Sequence, residues 1–186
     1  MKNCPQAKAC FSSRQYGEEC GVFGIALKEG STLSAAHSVY TALYTLQHRG
    51  QQTAGIASVD KGTFHLHKGP GLVPDVFGDK NLKTLTGPAA IGHVRYASGG
   101  DTATINAQPL VVTHASGSMA VCYNGRLVNS DELRRETENR GGIFQSSNSA
   151  EVIAYLLVRE RMRAGTIEDA VINAMQYMVG AYSVVL

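Results

Sequence analysis

The sequence predicts a layered α+β domain, and three observations carry that prediction. Short apolar or alternating runs recur at 20–27, 54–59, 63–67, 89–96 and 181–186, lengths that suit strands. Stretches 33–48, 151–162 and 167–178 place apolar residues at helical spacing. Apolar residues make up 44% of the 186 and charged ones 17%, enough for one domain with a real core. Strands gathered early and in the middle, with helices packed beside them, build layers.

Taken in order, Cys20–Leu27 is apolar throughout and reads as a strand buried on both faces. Leu33–His48 carries Ala36, Val39, Tyr40, Leu43 and Leu46 on one helical face, and Gly50 supplies a stop. Ala54–Val59 is a second strand. Lys61-Gly62 fits a hairpin turn into the alternating run Thr63–His67. Ala89–Tyr96 is a further strand that empties into the loop Ala97-Ser98-Gly99-Gly100. Paired strands then flank Pro109 and Asn124-Gly125, the strongest short hairpin signal in the chain. Ser130–Asn139 reads as a polar helix capped by Ser130 and closed by Gly141-Gly142. A helix over Glu151–Met162 follows. Thr166-Ile167-Glu168-Asp169 then opens another that runs to Met178, and Ala181–Leu186 is a last strand.

The formal charge of +2 is too small to make nucleic acid or a membrane surface the main partner. No stretch approaches the ~18 consecutive apolar residues that span a bilayer. Residues 1–19 hold Lys2, Lys8 and Arg14 without an apolar core, so they read as a polar leader rather than a signal peptide. The cytoplasm is the default compartment. Of the cysteines Cys4, Cys10, Cys20 and Cys122, no pair has CxxC spacing, so no zinc site is expected. Cys122 reads as a small buried hydrophobe. His65 and His67 alternate on one strand without a third ligand nearby and read as surface residues.

Cys20 has the most suggestive context. It opens a Gly-punctuated apolar strand directly after Glu18-Glu19, a pattern that looks like a cleavage junction. Cut there, Cys20 would carry a thiol nucleophile and a free α-amine base on one residue. Four other polar clusters have structural readings, and two of them a chemical one as well. Gln47–Gly55 reads as an exposed connection with a C-cap glycine. Arg95 can grip a carboxylate through its guanidinium fork or make a surface ion pair. Asn124-Gly125 can turn a hairpin, or offer a side-chain amide and an N–H as an oxyanion hole. Asn148, with Glu151 three residues on, can cap a helix.

Six motifs occur in one order: Cys20-Gly-Val-Phe-Gly-Ile, Leu46-Gln-His-Arg-Gly-Gln, Gly92-His-Val-Arg-Tyr, Asn106-Ala-Gln-Pro-Leu, Asn124-Gly-Arg-Leu-Val-Asn and Gly180-Ala-Tyr-Ser. From about Glu18 onward the chain thereby resembles the glutaminase half of the amidophosphoribosyltransferases of purine biosynthesis. These are class II glutamine amidotransferases with an N-terminal nucleophile. The resemblance implies a four-layer α/β/β/α sandwich of the N-terminal-nucleophile hydrolase type, truncated at its C-terminus. It divides the chain into a propeptide-like leader, 1–19, and a glutaminase domain, 20–186. It implies glutamine as substrate, Cys20 as nucleophile, Asn124 and the Gly125 N–H as oxyanion hole, and Arg49 beside the nucleophile. Arg95, helped by Ser98, would bind the α-carboxylate. No cofactor and no metal are implied. The partner would be a synthase or phosphoribosyltransferase domain or subunit that takes the ammonia, in a parent enzyme that is a homo-oligomer.

The chain departs from that family in three places. Ser149 stands where the family has an Asp for the substrate α-ammonium, with Asn148 one position earlier offering only a neutral acceptor. Gln52 replaces an acidic residue. The phosphoribosyltransferase portion, with its phosphate-cradling loop, is absent. Two readings therefore stand: a catalytic glutaminase domain, and a non-catalytic binding or regulatory module that kept its leader and a degraded glutamine site.

Overall fold

A computed structural model describes residues 20–28, 30–96, 104–115 and 117–186. Strands β1 (Gly21–Ala26), β2 (Thr53–Asp60), β3 (Thr63–Pro70) and β4 (Ala89–Arg95) form one antiparallel sheet in the order β1-β4-β2-β3. Strands β5 (Leu110–His114), β6 (Gly117–Leu127) and β7 (Gly180–Val185) form a second, in chain order. Helix α1 (Ala35–Thr45) and two short helices, α2 (Val73–Val76) and α3 (Asp79–Thr84), accompany the first sheet. Helices α4 (Ser130–Asn139), α5 (Ser149–Arg161) and α6 (Ile167–Met175) accompany the second.

Each sheet has its own apolar core on its helical side. Val39 and Leu43 of α1 pack with Ile56 and Val94 of the first sheet, all four fully buried. Gly92 makes this approach possible, because a Cβ there would lie 2.5 Å from Val39 Cγ1. Val152, Ile153 and Leu156 of α5 pack with Val121 and Tyr123 of β6. The opposite faces of the two sheets meet through β1 with β7 and β4 with β6. The result is the expected α/β/β/α sandwich. Among the described residues, no helix is long and apolar enough to cross a membrane.

Local signals held where the controlling contacts are local. Lys61 and Gly62 both have positive φ, 47° and 83°, as a two-residue hairpin turn with right-twisting strands requires. Asn148 caps α5 by accepting from Ala150 N at 2.9 Å, and Thr166 caps α6 by accepting from Asp169 N at 3.1 Å.

Five expectations are corrected. Strand β1 is only half-buried, because it is a sheet edge paired with β4 alone. Gly50 is not a left-handed C-cap: its φ is −161°, and it is buried where a Cβ would come within 2.7 Å of the Val94 and Arg95 carbonyl carbons. Asn129, not Ser130, precedes α4, and its side chain instead bonds Tyr177 O and Val179 N, tying α4 to the approach to β7. His67 is only partly exposed. Its ring lies edge-on to Phe77, with Nε2 3.0 Å from Val76 O. Asn124-Gly125 does not turn at all. The pair lies within β6, opposite Ser183 and Tyr182 of β7.

Candidate active site

Register places the nucleophile candidate. β1 and β4 pair with Gly21 opposite Val94, so Cys20 falls beside the end of β4. The Tyr96 N–H donates to Cys20 Sγ at 3.4 Å, and the thiol reaches Tyr96 O at 3.6 Å. The Cys20 backbone has φ 47°, a region non-glycine residues enter rarely. Its carbonyl oxygen is held from two sides, by Arg49 Nε at 2.8 Å and Asn124 Nδ2 at 3.3 Å. Three motifs distant in sequence thus converge on one residue. Arg49 reaches it because Gly50 lets the turn at Gln47–Arg49 press against β4.

The second wall element is the far half of β6. Gly125 has φ 138°, and a Cβ there would lie 2.3 Å from Ala181 O, so only glycine fits. Behind it, the buried Gln108 side chain accepts from Tyr123 N at 2.6 Å and donates to Tyr123 O at 3.0 Å. His93 is fully buried, and its Nε2 lies 3.2 Å from the same carbonyl. Burial pushes the His93 pKa down to about 3, outweighing the hydrogen bond to Tyr123 O, so the ring is neutral at ordinary pH.

These groups surround a cavity of about 210 Å³. Cys20, Arg95 and Gly125 line one side, and Ser147, Asn148 and Ser149 the other. The second side is a neutral network. Asn148 Nδ2 donates to Asn106 O at 2.9 Å, and Asn106 Nδ2 donates to Ser147 Oγ at 3.0 Å. Ser149 Oγ pairs with Ser130 Oγ at 2.9 Å. Arg95 contributes a guanidinium to this lining.

The structure therefore gathers Cys20, Arg49, Arg95, Asn124, Gly125, Asn148 and Ser149 around one point. Ser98 lies outside the described residues. Asn124 does not line the cavity but bonds the Cys20 carbonyl beside it. Gln52 stands next to the site through its backbone, donating N–H to Arg95 O at 3.0 Å. Gln108 was missed as a site residue, although Pro109 directly before β5 marks where a ladder must stop. Cys122 is fully buried, and burial raises its thiol pKa, leaving Cys20 as the accessible thiol of the two described cysteines. A larger apolar cleft of about 680 Å³ opens between the sheets near Phe64, Met119 and Leu186, but no thiol lines it. Among the described residues, no group of three or more His, Cys, Asp or Glu side chains could hold a metal.

Comparison with known proteins places this geometry. A family model described as a glutamine amidotransferase domain matches residues 93–186. The amidophosphoribosyltransferase of Methanocaldococcus jannaschii is 48% identical over 167 residues, covering 90% of this chain and 35% of the relative. That of Bacillus subtilis is 42% identical, covering 89% and 34%. A solved structure of the B. subtilis glutamine phosphoribosylpyrophosphate amidotransferase, complexed with ADP and GMP, superposes with TM-score 0.76 at 41% identity. That match covers 88% of this chain and 34% of the solved one. A second, titled the allosteric regulatory enzyme of purine biosynthesis, gives 0.78 over the same shares. The chain spans about a third of the length of these relatives.

Proposed function

We propose, for a chain that belongs to the family of glutamine amidotransferase domains, that it hydrolyses the side-chain amide of glutamine at Cys20. The observation that carries this reading is the convergence of a half-exposed thiol, a guanidinium and a glycine strand edge on one small cavity.

In this reading the leader 1–19 is removed and Cys20 becomes the N-terminus. Its α-amine takes the thiol proton as Sγ attacks the amide carbon. The developing oxyanion is held by the Gly125 N–H and by Asn124 Nδ2, which lies 3.3 Å from the Cys20 carbonyl. The carbon–nitrogen bond then breaks, ammonia leaves with the transferred proton, and a thioester remains on Sγ. Water attacks the thioester, the carbon–sulfur bond breaks, and glutamate and the free thiol are released. Arg95 forms a bidentate pair with the substrate α-carboxylate. Arg49 fixes the Cys20 carbonyl and so the direction of Sγ. The ammonia acceptor is bound by a separate synthase or phosphoribosyltransferase domain or subunit. The non-catalytic alternative keeps the leader, and with it the α-amine locked in a peptide bond.

Intact mass spectrometry after exposure to an electrophilic glutamine analogue tests the reading. The expected product begins at Cys20 and carries one adduct there, with Cys122 unmodified. An active protein whose mass still includes residues 1–19 would overturn the processing step. Absence of any adduct on Cys20 would favour the non-catalytic module.

A further inference from the structure

The second sheet contains a rung made by a side chain. β5 and β6 pair antiparallel from His114 opposite Gly117 to Leu110 opposite Val121. Continued in the same register, Gln108 would face Tyr123. Its backbone does not take that place. The Gln108 carbonyl is turned instead against the first sheet, so close to β2 that a Cβ on Gly55 would lie 2.1 Å from it. The Gln108 side-chain amide makes the two bonds the strand would have made, accepting from Tyr123 N and donating to Tyr123 O. An amide side chain has the same donor and acceptor as a peptide, which is why this substitution works. Lys68 of β3 braces the turn, donating to Ala107 O at 2.6 Å and Pro109 O at 3.2 Å on either side of Gln108.

The consequence falls on the next N–H along that edge. In an antiparallel ladder alternate residues turn their N–H groups to the same side. The alternation that turns Tyr123 N to Gln108 turns Gly125 N to the same edge, and Gly125 lines the cavity with Cys20. Continued backbone pairing would bring a carbonyl onto that N–H. A side chain closes one rung and then ends.

We propose that Gln108 is a positioning residue for the oxyanion site: its buried amide stands in for a strand, fixing the Tyr123-Asn124-Gly125 backbone while leaving the Gly125 N–H open to Cys20. This rests on the reading of Cys20 as the nucleophile. Gln108 also lines the cavity, but both ends of its amide are engaged by Tyr123, so it acts through the strand that carries Gly125. Its loss therefore weakens stabilisation of the tetrahedral intermediate more than it weakens ground-state binding or thiol reactivity.

The test compares the full chain, wild type, Gln108→Ala and Gln108→Glu, in glutamine hydrolysis and in alkylation of Cys20 by iodoacetamide, a reaction that forms no oxyanion. Both variants are expected to lose about 100-fold in kcat, the order seen when an oxyanion donor is removed, with KM and the alkylation rate within about threefold. Gln108→Glu preserves volume and the acceptor for Tyr123 N but sets an oxygen against Tyr123 O. It keeps the comparison available if the alanine variant does not fold. Unchanged kcat overturns the proposal, and so does a parallel fall in kcat and alkylation, which would mean general collapse of the site. A wild type that neither hydrolyses glutamine nor labels at Cys20 overturns the underlying reading as well, a result distinct from both.

Discussion

On the Cys20 side of the cavity the functional groups sit on or against paired strands, whereas on the α5 side they are carried by the loop before α5 and its first turn. Cys20 is held through its own carbonyl by Arg49 and Asn124, and Gly125 sits in a strand too close to β7 for any side chain. Across the cavity, Asn106, Ser147 and Asn148 form a neutral chain, and Ser149 is paired with Ser130. The first wall cannot drift without breaking the sheets. In the second, Asn148 is tied to the fold as the cap of α5, whereas Ser149 pairs only with the Ser130 hydroxyl and is freer to change. In the proposed reading the nucleophile, the oxyanion site and the carboxylate clamp Arg95 share the first wall, and only the ammonium end of the substrate is left to the second. Cys20→Ala should break the first wall alone, lowering glutamate release at least ~1,000-fold while moving the thermal midpoint by less than about 3 °C. Undiminished release would place the chemistry elsewhere.

The first wall also has an acid limit, set by His93 beneath Tyr123. His93 stays neutral in the folded protein down to about pH 3, while in the unfolded chain it takes a proton near its ordinary value of 6.5. Between these values the unfolded state binds more protons, so stability falls as pH falls through that window. The slope is half its maximum at pH 6.5 and vanishes about one pH unit higher. By pH 5 the loss should be roughly 2 kcal/mol, since each unit is worth about 1.4 kcal/mol. Urea unfolding at pH 7 and pH 5 checks this, with His93→Gln as the control that removes the titration. Equal acid slopes for the two proteins would mean the ring is not held neutral beneath Tyr123.

The same contrast explains what could be read from the sequence. The Lys61-Gly62 turn and the Asn148 cap depend on a few consecutive residues and were legible. Asn124-Gly125 carries the stronger turn signal, yet pairing with Ser183 and Tyr182 keeps it in a strand. Distant contacts overrode the local preference there, and they made the glycine necessary for a different reason. Gly50 and Gly55 depend on how closely β4 and Gln108 pass them, which no neighbouring residue announces, and for Gln108 the following Pro109 marks only the end of a ladder. Cys20 stands out by its Glu18-Glu19 junction and Arg95 by its place at a strand end, but only the β1–β4 register shows that they share a cavity.

Ser149→Asp sharpens the comparison from the other wall. Ser149 is the first residue of α5, where a carboxylate is favoured by the helix dipole, so the variant should fold at least as well. Asn148 already uses its carbonyl oxygen on Ala150 N and its amide on Asn106 O, so it has little left for a substrate ammonium. A new carboxylate lining the cavity opposite Arg95 would supply a charge-assisted bond worth ~1.5 kcal/mol or more, about tenfold in affinity. The expected result is a tenfold lower KM for glutamine with kcat nearly unchanged, because the nucleophile wall is untouched. Glutaramate, the same ω-amide without the α-ammonium, should gain nothing and is the discriminating control. A KM that falls equally for both amides would assign the gain to the helix terminus rather than the ammonium. An unchanged KM for glutamine would mean that this wall does not face the α-ammonium at all.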